Sequence, residues 1–232
     1  MINLTREEID KLGERGLDFG ANKPITDGSY DKDLAVACQN GTFVGVKEKG
    51  VLAWKGIPFA KPPVGNLRFM APVKPDDSYG VYEAYNYGKS PINLLEPSDH
   101  NSEDCLYLNV FTGDDNTSNK PVMVWIHGGA FLVGSASYYS DRGESFAVAN
   151  PDIVFVTIEY RLGMFGFTDF EGIPGSEEDT ANNAIKDQLA ALRWIKENIA
   201  GFGGSPDNIT VFGESAGGIS TALLPLVDGT EG

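Results

Sequence analysis

The residues with the clearest chemical signature form the pentapeptide Gly213-Glu214-Ser215-Ala216-Gly217. It follows the apolar run Ile209 to Phe212 and leads into a stretch compatible with a helix. A G-x-S-x-G sequence in this setting puts the serine on a sharp strand-to-helix turn, where larger neighbours would collide. Such a turn exposes the hydroxyl and aims the first N–H groups of the helix at the carbonyl under attack. The pattern predicts that Ser215 is a nucleophile for acyl transfer.

A second loop, far upstream, has the composition needed to stabilise the negative charge that this attack creates. His127-Gly128-Gly129-Ala130-Phe131 comes directly after the apolar run Val122 to Ile126. A strand that opens into a His-Gly-Gly loop forms the other half of an oxyanion hole, in which backbone N–H groups are the donors. Small residues are required because the backbone itself must approach the substrate. Both motifs follow a strand-like run and occur in the expected order, which makes a chance match a poor explanation.

Apolar periodicity predicts the elements that position these motifs. Four runs have the length and content of buried strands: Leu106 to Phe111, Val122 to Ile126, Ile153 to Ile158, and Ile209 to Phe212. A repeat of apolar residues at helical spacing predicts a helix from about Asn183 to Ala200, with Gly201 as its C-terminal cap. Strands that alternate with helices indicate an α/β protein, and the two motifs specify an α/β-hydrolase fold with a mostly parallel central sheet and flanking helices.

The amino-terminal part of the sequence gives weaker signals. Thr5-Arg6-Glu7-Glu8 has the spacing of a capping box and predicts a short helix. Thr42 to Val46 and Val51 to Trp54 flank a polar turn, which predicts a β-hairpin. The proline-rich segment Gly56 to Gly65 is interpreted as an irregular excursion, because its prolines exclude both a helix and a central strand.

Composition limits the partners of the chain. Its 232 residues carry a formal charge of −15, which disfavours nucleic acid and anionic membranes. No run approaches the length of a membrane helix, and the first residues do not resemble a signal peptide. Two histidines and two cysteines form no metal-binding pattern and no disulfide framework. We therefore expect a cytoplasmic protein without a metal site.

Longer strings in the chain resemble the type-B carboxylesterases, a family that includes the cholinesterases and the non-catalytic neuroligins. The resemblance extends from Gly41 onward, and the matching strings include Gly56 to Gly65, Leu67-Arg68-Phe69, Ser102 to Asn109, Val124 to Phe131, Tyr160 to Gly163, Asp187-Gln188 and Phe212 to Gly218. It implies an α/β-hydrolase fold, a Ser-Glu-His triad and hydrolysis of carboxylic esters without a metal or organic cofactor. It also suggests that Arg68 and Glu103 form a structural ion pair.

Residue by residue, the resemblance assigns Ser215 as the nucleophile and the N–H groups of Gly129, Ala130 and Ala216 as the oxyanion hole. His127 then belongs to the oxyanion loop and has a structural role rather than that of the catalytic base. His100 is interpreted as a loop residue. Glu214 is expected to be a buried structural carboxylate and not the triad acid.

The resemblance also implies that the triad acid and histidine follow the serine, and only 17 residues do so here. Residues 1–232 are therefore interpreted as the amino-terminal portion of a single α/β-hydrolase domain. We expect the carboxy-terminal half of the enzyme to bind as a second chain, and this chain alone to be nearly inactive. Two alternatives remain: a silent interaction domain like a neuroligin, although those proteins typically lose the nucleophile, and an acyltransferase that uses an alcohol in place of water.

Overall fold

Strands dominate the described part of the chain, and the helices lie between or after them. The computed structural model describes residues 5, 17–95, 97–138, 143–170 and 180–227. The strands are β1 (Ala35–Cys38), β2 (Gly41–Val44), β3 (Val46–Glu48), β4 (Val51–Pro58), β5 (Val81–Glu83), β6 (Ser90–Pro91), β7 (Asn101–Ser102), β8 (Tyr107–Gly113), β9 (Lys120–Ile126), β10 (Val154–Ile158) and β11 (Gly204–Gly213). The α-helices are α1 (Gly143–Ala149), α2 (Gly163–Phe167), α3 (Asn183–Asn198) and α4 (Ala216–Leu223). The short helix expected after Thr5 lies outside the described residues.

The central sheet has six strands in the order β11-β9-β10-β8-β4-β3. β9 pairs in parallel with both β10 and β11, whereas the β10–β8, β8–β4 and β4–β3 pairs are antiparallel. The expectation of a mostly parallel sheet is therefore wrong for the described residues, where the sheet is mixed. Continuous apolar runs report burial on both faces of a strand and carry no information on its direction.

The two faces of the sheet pack against different helices. Val122, Val124 and Ile126 of β9 join one hydrophobic cluster with the apolar side of α3. Met123 and Trp125 point to the other face and join Ala147 of α1 in a second cluster. The expected flanking helices are thus confirmed, and the alternation along β9 is the period-two pattern of a strand covered on both sides.

The predicted hairpin is confirmed in part. β3 and β4 pair antiparallel around a tight turn, in which Lys49 and Gly50 have φ of 48° and 81°. Thr42 to Val44 belong instead to β2, in a separate three-stranded sheet of order β1-β2-β5. The proline-rich segment also starts later than expected, because Gly56 to Pro58 end β4 after a shift of register.

The long helix ends close to the predicted position. α3 covers Asn183–Asn198, and a 3₁₀ helix, Ile199–Phe202, extends it by one turn. The left-handed residue after this turn is Gly203, with φ of 85°, and not the predicted Gly201. Gly201 lies inside this extra turn, so the glycine cap falls two residues later than predicted.

Candidate active site

The turn that carries Ser215 has the backbone geometry of a nucleophile elbow. Ser215 has φ of 52° and ψ of −116°, a conformation that L residues rarely adopt, and its residue surface is exposed. A Cβ atom on Gly213 would lie 2.5 Å from the carbonyl carbon of Gly217. A Cβ atom on Gly217 would lie 2.0 Å from the carbonyl oxygen of Ile126. Both glycines are therefore needed sterically, which explains the G-x-S-x-G pattern.

The helix after the turn presents its amino terminus beside the serine. α4 begins at Ala216, with Ser215 in the N-cap position. The Gly217 N–H donates to the Glu214 carbonyl at 2.8 Å, and the Ile219 N–H donates to the Ser215 carbonyl at 3.0 Å. The first N–H groups of a helix have no partner within the helix and carry partial positive charge. The N–H of Ala216 is thus in a position to donate a hydrogen bond to an oxyanion as it forms.

The glycine loop after β9 is wound into an unusual conformation. Gly129, Ala130 and Phe131 have φ of 110°, 55° and 62°. The N–H groups of Leu132 and Val133 both donate to the Gly129 carbonyl at 3.0 Å, which closes a tight turn. A Cβ atom on Gly129 would lie only 2.0 Å from the Val133 carbonyl oxygen, so no other residue fits there. Ala130 is exposed at the tip of the turn.

The structure brings the glycine loop and the serine turn together. A Cβ atom built on Gly128 would lie 3.2 Å from the Ser215 Cβ and 2.4 Å from Glu214 Oε2. β9 and β11 lie side by side, with Ile126 paired to Gly213, so both loops start at the same edge of the sheet. The expected proximity of the two motifs is present, and the arrangement suits stabilisation of an anion formed at a carbonyl attacked by Ser215.

Neither of the two histidines of the chain faces the serine. His127 is 1% exposed, its Nδ1 lies 2.9 Å from the Gly128 carbonyl oxygen, and its ring stacks on Tyr160 with the centroids 4.4 Å apart. The His100 ring lies 4.3 Å from that of Phe19, centroid to centroid. The hydroxyl of Ser215 therefore has no imidazole partner in this chain.

Comparison with known proteins agrees with this geometry. The profile of the carboxylesterase family matches residues 32–232. The chain belongs to the carboxylesterase family. It is 48% identical to the para-nitrobenzyl esterase of Bacillus subtilis (strain 168) over an alignment of 204 residues, which covers 85% of this chain and 41% of that protein. It is 45% identical to the human (Homo sapiens) cocaine esterase over 202 residues, covering 79% of this chain and 35% of that enzyme.

Solved structures of carboxylesterases share the fold. The Geobacillus stearothermophilus carboxylesterase EST55 at pH 6.8 superposes with a TM-score of 0.78 at 46% identity, covering 85% of this chain and 42% of that one. A PNB esterase superposes with a TM-score of 0.77 at 47% identity, covering 84% and 42%. The chain thus spans about two fifths of the length of these relatives, and the α/β-hydrolase fold is confirmed.

One expectation about the carboxylates of the site is wrong. Glu214, expected to be buried, is exposed beside the glycine loop. Glu214 and Ser215 directly follow the last residue of β11, and both lie on the surface of the described residues. The other structural carboxylate behaves as expected: Glu103 Oε1 accepts from Arg68 Nη2 at 2.7 Å, which confirms the predicted ion pair.

Two buried charged groups beside the glycine loop were not recognised from the sequence. Asp187, which is fully buried, accepts from Arg161 Nη2 at 2.7 Å and from Nε at 2.8 Å. Burial raises the pKa of Asp187, and the bonds from Arg161 oppose that rise. Glu159, 2% exposed, accepts from the Ser135 hydroxyl at 2.7 Å and from the Ala136 N–H at 3.0 Å. The sequence held two signals: Glu159 comes directly after the buried strand β10, and Asp187 lies in one of the strings that match the carboxylesterases.

A large cavity lies elsewhere and is a poor candidate for catalysis. It has a volume of about 580 Å³ and is lined in part by Phe43, Tyr82 and Tyr107. The polar groups that line it are already paired: Tyr82 Oη bonds Ser78 Oγ, and Tyr107 Oη donates to Asp104. It includes neither Ser215 nor the glycine loop.

Within the described ranges, no group of three or more His, Cys, Asp or Glu residues could hold a metal ion. The helices in these ranges are also too short or too polar to cross a bilayer.

Proposed function

We propose that this chain supplies the nucleophile and the oxyanion hole of a serine carboxylic-ester hydrolase. Ser215 is the nucleophile, and the N–H groups of Gly129, Ala130 and Ala216 bind the oxyanion. The observation that carries the proposal is the contact between the strained turn at Ser215 and Gly128 of the glycine loop. Membership of the carboxylesterase family supports the same reaction.

The reaction proceeds in two acyl-transfer steps. The Ser215 hydroxyl attacks the ester carbonyl, and the carbonyl oxygen becomes an anion within reach of the loop and helix N–H groups. Collapse of this intermediate expels the alcohol and leaves an acyl-enzyme, which water then hydrolyses through a second oxyanion. In each step a base must take a proton from the attacking oxygen, and an acid must return one to the leaving oxygen.

Neither histidine among residues 1–232 is placed to act as the base. His127 is buried against Gly128 and Tyr160, and His100 packs near Phe19, so neither can take the proton of Ser215. We propose that the acid and the histidine come from the carboxy-terminal half of the enzyme, the portion of its relatives that residues 1–232 do not match. Without them the chain is nearly inactive, because loss of a triad member costs on the order of 10⁴ to 10⁶ in rate.

Complementation tests this proposal directly. The chain is assayed alone and after co-expression with the carboxy-terminal portion of the Bacillus subtilis para-nitrobenzyl esterase, the portion that the chain does not match. We expect hydrolysis of short p-nitrophenyl esters, and labelling of Ser215 by a fluorophosphonate, only in the complemented sample. Ser215→Ala is the matched control. Equal rates for the complemented Ser215→Ala sample, or hydrolysis by the chain alone, would contradict the proposal.

The two alternative functions have less support than ester hydrolysis. The retained Ser215 and the intact glycine loop speak against a silent interaction domain. An acyltransferase would be recognised by transfer to an added alcohol, and no contact in the described residues favours it.

We also propose a cytoplasmic location, supported by the unpaired state of Cys38 and Cys105. Fractionation of the host cells would test it, and recovery in the secreted fraction would contradict it.

A further inference from the structure

A single buried carboxylate connects the two ends of the glycine loop. Glu159 follows β10, and its Oε1 accepts from Ser135 Oγ at 2.7 Å and from the Ala136 N–H at 3.0 Å, where the loop ends. Its Oε2 lies 3.5 Å from Nε2 of His127, where the loop starts. Between these ends the loop contains four residues with positive φ. Glu159 is thus placed to hold a strained loop from both sides.

The contacts of His127 determine which of its ring nitrogens carries a proton. Nδ1 lies 2.9 Å from the Gly128 carbonyl oxygen, and a carbonyl oxygen can only accept, so Nδ1 carries a hydrogen. In a neutral ring Nε2 is then a bare acceptor. It faces Oε2 of Glu159, which is also an acceptor when the carboxyl is ionised. Both atoms are buried, and neither has a hydrogen-bond partner within bonding distance.

Two buried acceptors that face each other destabilise the fold unless a proton lies between them. We propose that His127 and Glu159 share one proton and that this proton fixes the oxyanion loop in its active conformation. Both are positioning residues, since they act through the loop and touch no reacting atom. The effect on catalysis rests on the proposed function, whereas the presence of a proton between His127 and Glu159 does not.

Tyr160 and Arg161, the neighbours of the pair in the chain, are engaged with other partners and do not supply this proton. The Tyr160 ring stacks on His127 and its hydroxyl donates to the His127 carbonyl at 2.7 Å, so that hydroxyl is already used. The positive charge of Arg161 is bound by both oxygens of Asp187.

Other polar groups approach from the remaining elements. Ser90 of β6 and Ser137 bond Ser135, which in turn donates to Glu159. Cys105 and, beyond it, Asp104 lie within electrostatic range, and burial raises the pKa of the Cys105 thiol, with the charges of Asp187 and Glu159 adding to it. Glu214 faces Gly128 from the elbow and does not contact the pair.

Glu159→Gln separates a shared proton from a merely structural carboxylate. The amide oxygen still accepts from Ser135 and Ala136, and the amide N–H₂ donates to a bare Nε2. The variant therefore keeps the contacts of the loop and removes the need for the extra proton. Glu144→Gln is the control for removal of a buried carboxylate elsewhere: Glu144 is also buried, accepts from the Tyr87 hydroxyl at 3.0 Å and pairs with Lys55 Nζ at 3.4 Å in a separate cluster.

NMR of the ¹³C,¹⁵N-labelled chain tests the proton without any assay of activity. The chain has two histidines, so His100→Gln leaves the His127 ring as the single signal. At neutral pH we expect Nδ1–H in all variants. Wild type and Glu144→Gln should show either a proton on Nε2 or, by carboxyl ¹³C shifts, a proton on Glu159. Glu159→Gln should show a neutral ring with bare Nε2. A neutral ring beside an ionised Glu159 in wild type would overturn the proposal.

The complemented enzyme supplies the second readout. We expect Glu159→Gln, whose amide can still bridge both ends of the loop, to keep a higher kcat than Glu159→Ala, with KM little changed in both variants. Glu159→Ala should lower kcat by on the order of 10²- to 10³-fold, as loss of an oxyanion donor does. Equal kcat values for Glu159→Gln and Glu159→Ala would overturn the role in positioning. Absence of any ester hydrolysis would count against the proposed function, and the NMR result would still decide the proton.

Discussion

Ile126 and Gly213 are directly paired at the ends of β9 and β11. The glycine loop starts immediately after the first residue and the serine turn immediately after the second. Because the two strands are parallel neighbours, both loops leave the same edge of the sheet and meet there. The carbonyl oxygen of Ile126 also lies only 2.0 Å from where a Cβ atom of Gly217 would be, so the first turn of α4 packs directly on β9. This pairing links the nucleophile and the oxyanion loop.

The close approach of α4 to β9 predicts different effects for two adjacent glycines. A Cβ atom on Gly217 would lie 2.0 Å from the Ile126 carbonyl oxygen, whereas one on Gly218 would have no neighbour nearer than 3.4 Å. We expect Gly217→Ala to lower the free energy of unfolding by about 3 kcal/mol, as severe overpacking does. Gly218→Ala should be neutral or raise it by up to about 1 kcal/mol through helix propensity. Urea denaturation measures both, and equal effects would contradict the packing described.

The strained conformation of Ser215 predicts that its removal stabilises the fold. With φ of 52° and ψ of −116°, the residue occupies a region that glycine enters at little cost. We expect Ser215→Gly to raise the free energy of unfolding by about 1 kcal/mol, the lower end of typical backbone strain. Ser215→Ala, which keeps the Cβ atom, should leave it nearly unchanged. Chemical denaturation of the three proteins is the measurement, and a less stable glycine variant would show that the turn is not strained.

Sequence patterns predicted the parts of the site that depend on local sterics. Gly213 and Gly217 cannot carry a Cβ atom, so the motif is visible in the sequence itself. The contacts of Glu159 were not predictable, because they join residues 23 and 24 positions apart in the chain through a loop of irregular backbone. The exposure of Glu214 depends on its place directly after the last residue of β11, which residue type does not reveal.

The same distinction applies to the fold. The apolar repeat in α3 arises from one helix and predicted it correctly. The pairing of Thr42 to Val44 with β1 and β5 depends on segments that are distant in sequence, such as Val81 to Glu83. Strand direction in the central sheet likewise depends on which strands become neighbours. Local periodicity reports burial and element type, and it cannot report partners.

The buried Arg161–Asp187 pair predicts a large effect when one partner is removed. Asp187 is fully buried and Arg161 is 2% exposed, and the guanidinium also donates to the Met70 carbonyl at 2.8 Å. We expect Asp187→Asn to lower the free energy of unfolding by about 3–5 kcal/mol, since it leaves a buried charge without its partner. Glu103→Gln, which breaks the more exposed pair with Arg68, should leave the denaturation midpoint nearly unchanged. Similar losses in both variants would contradict this.

Burial of the two thiols predicts that the folded protein resists alkylation. Burial raises the pKa of Cys38 from 9.0 to about 12, and it raises the pKa of Cys105 as well. A higher pKa lowers the thiolate fraction at a given pH, so at pH 8 Cys38 holds about a thousandfold less of the reactive form than a free thiol. We expect iodoacetamide to modify both residues slowly in the native chain and rapidly in urea, as measured by intact mass over time. Alkylation of native Cys38 at the rate of the unfolded chain would show that its thiol is solvated, and Cys105 serves as the fully buried reference within the same molecule.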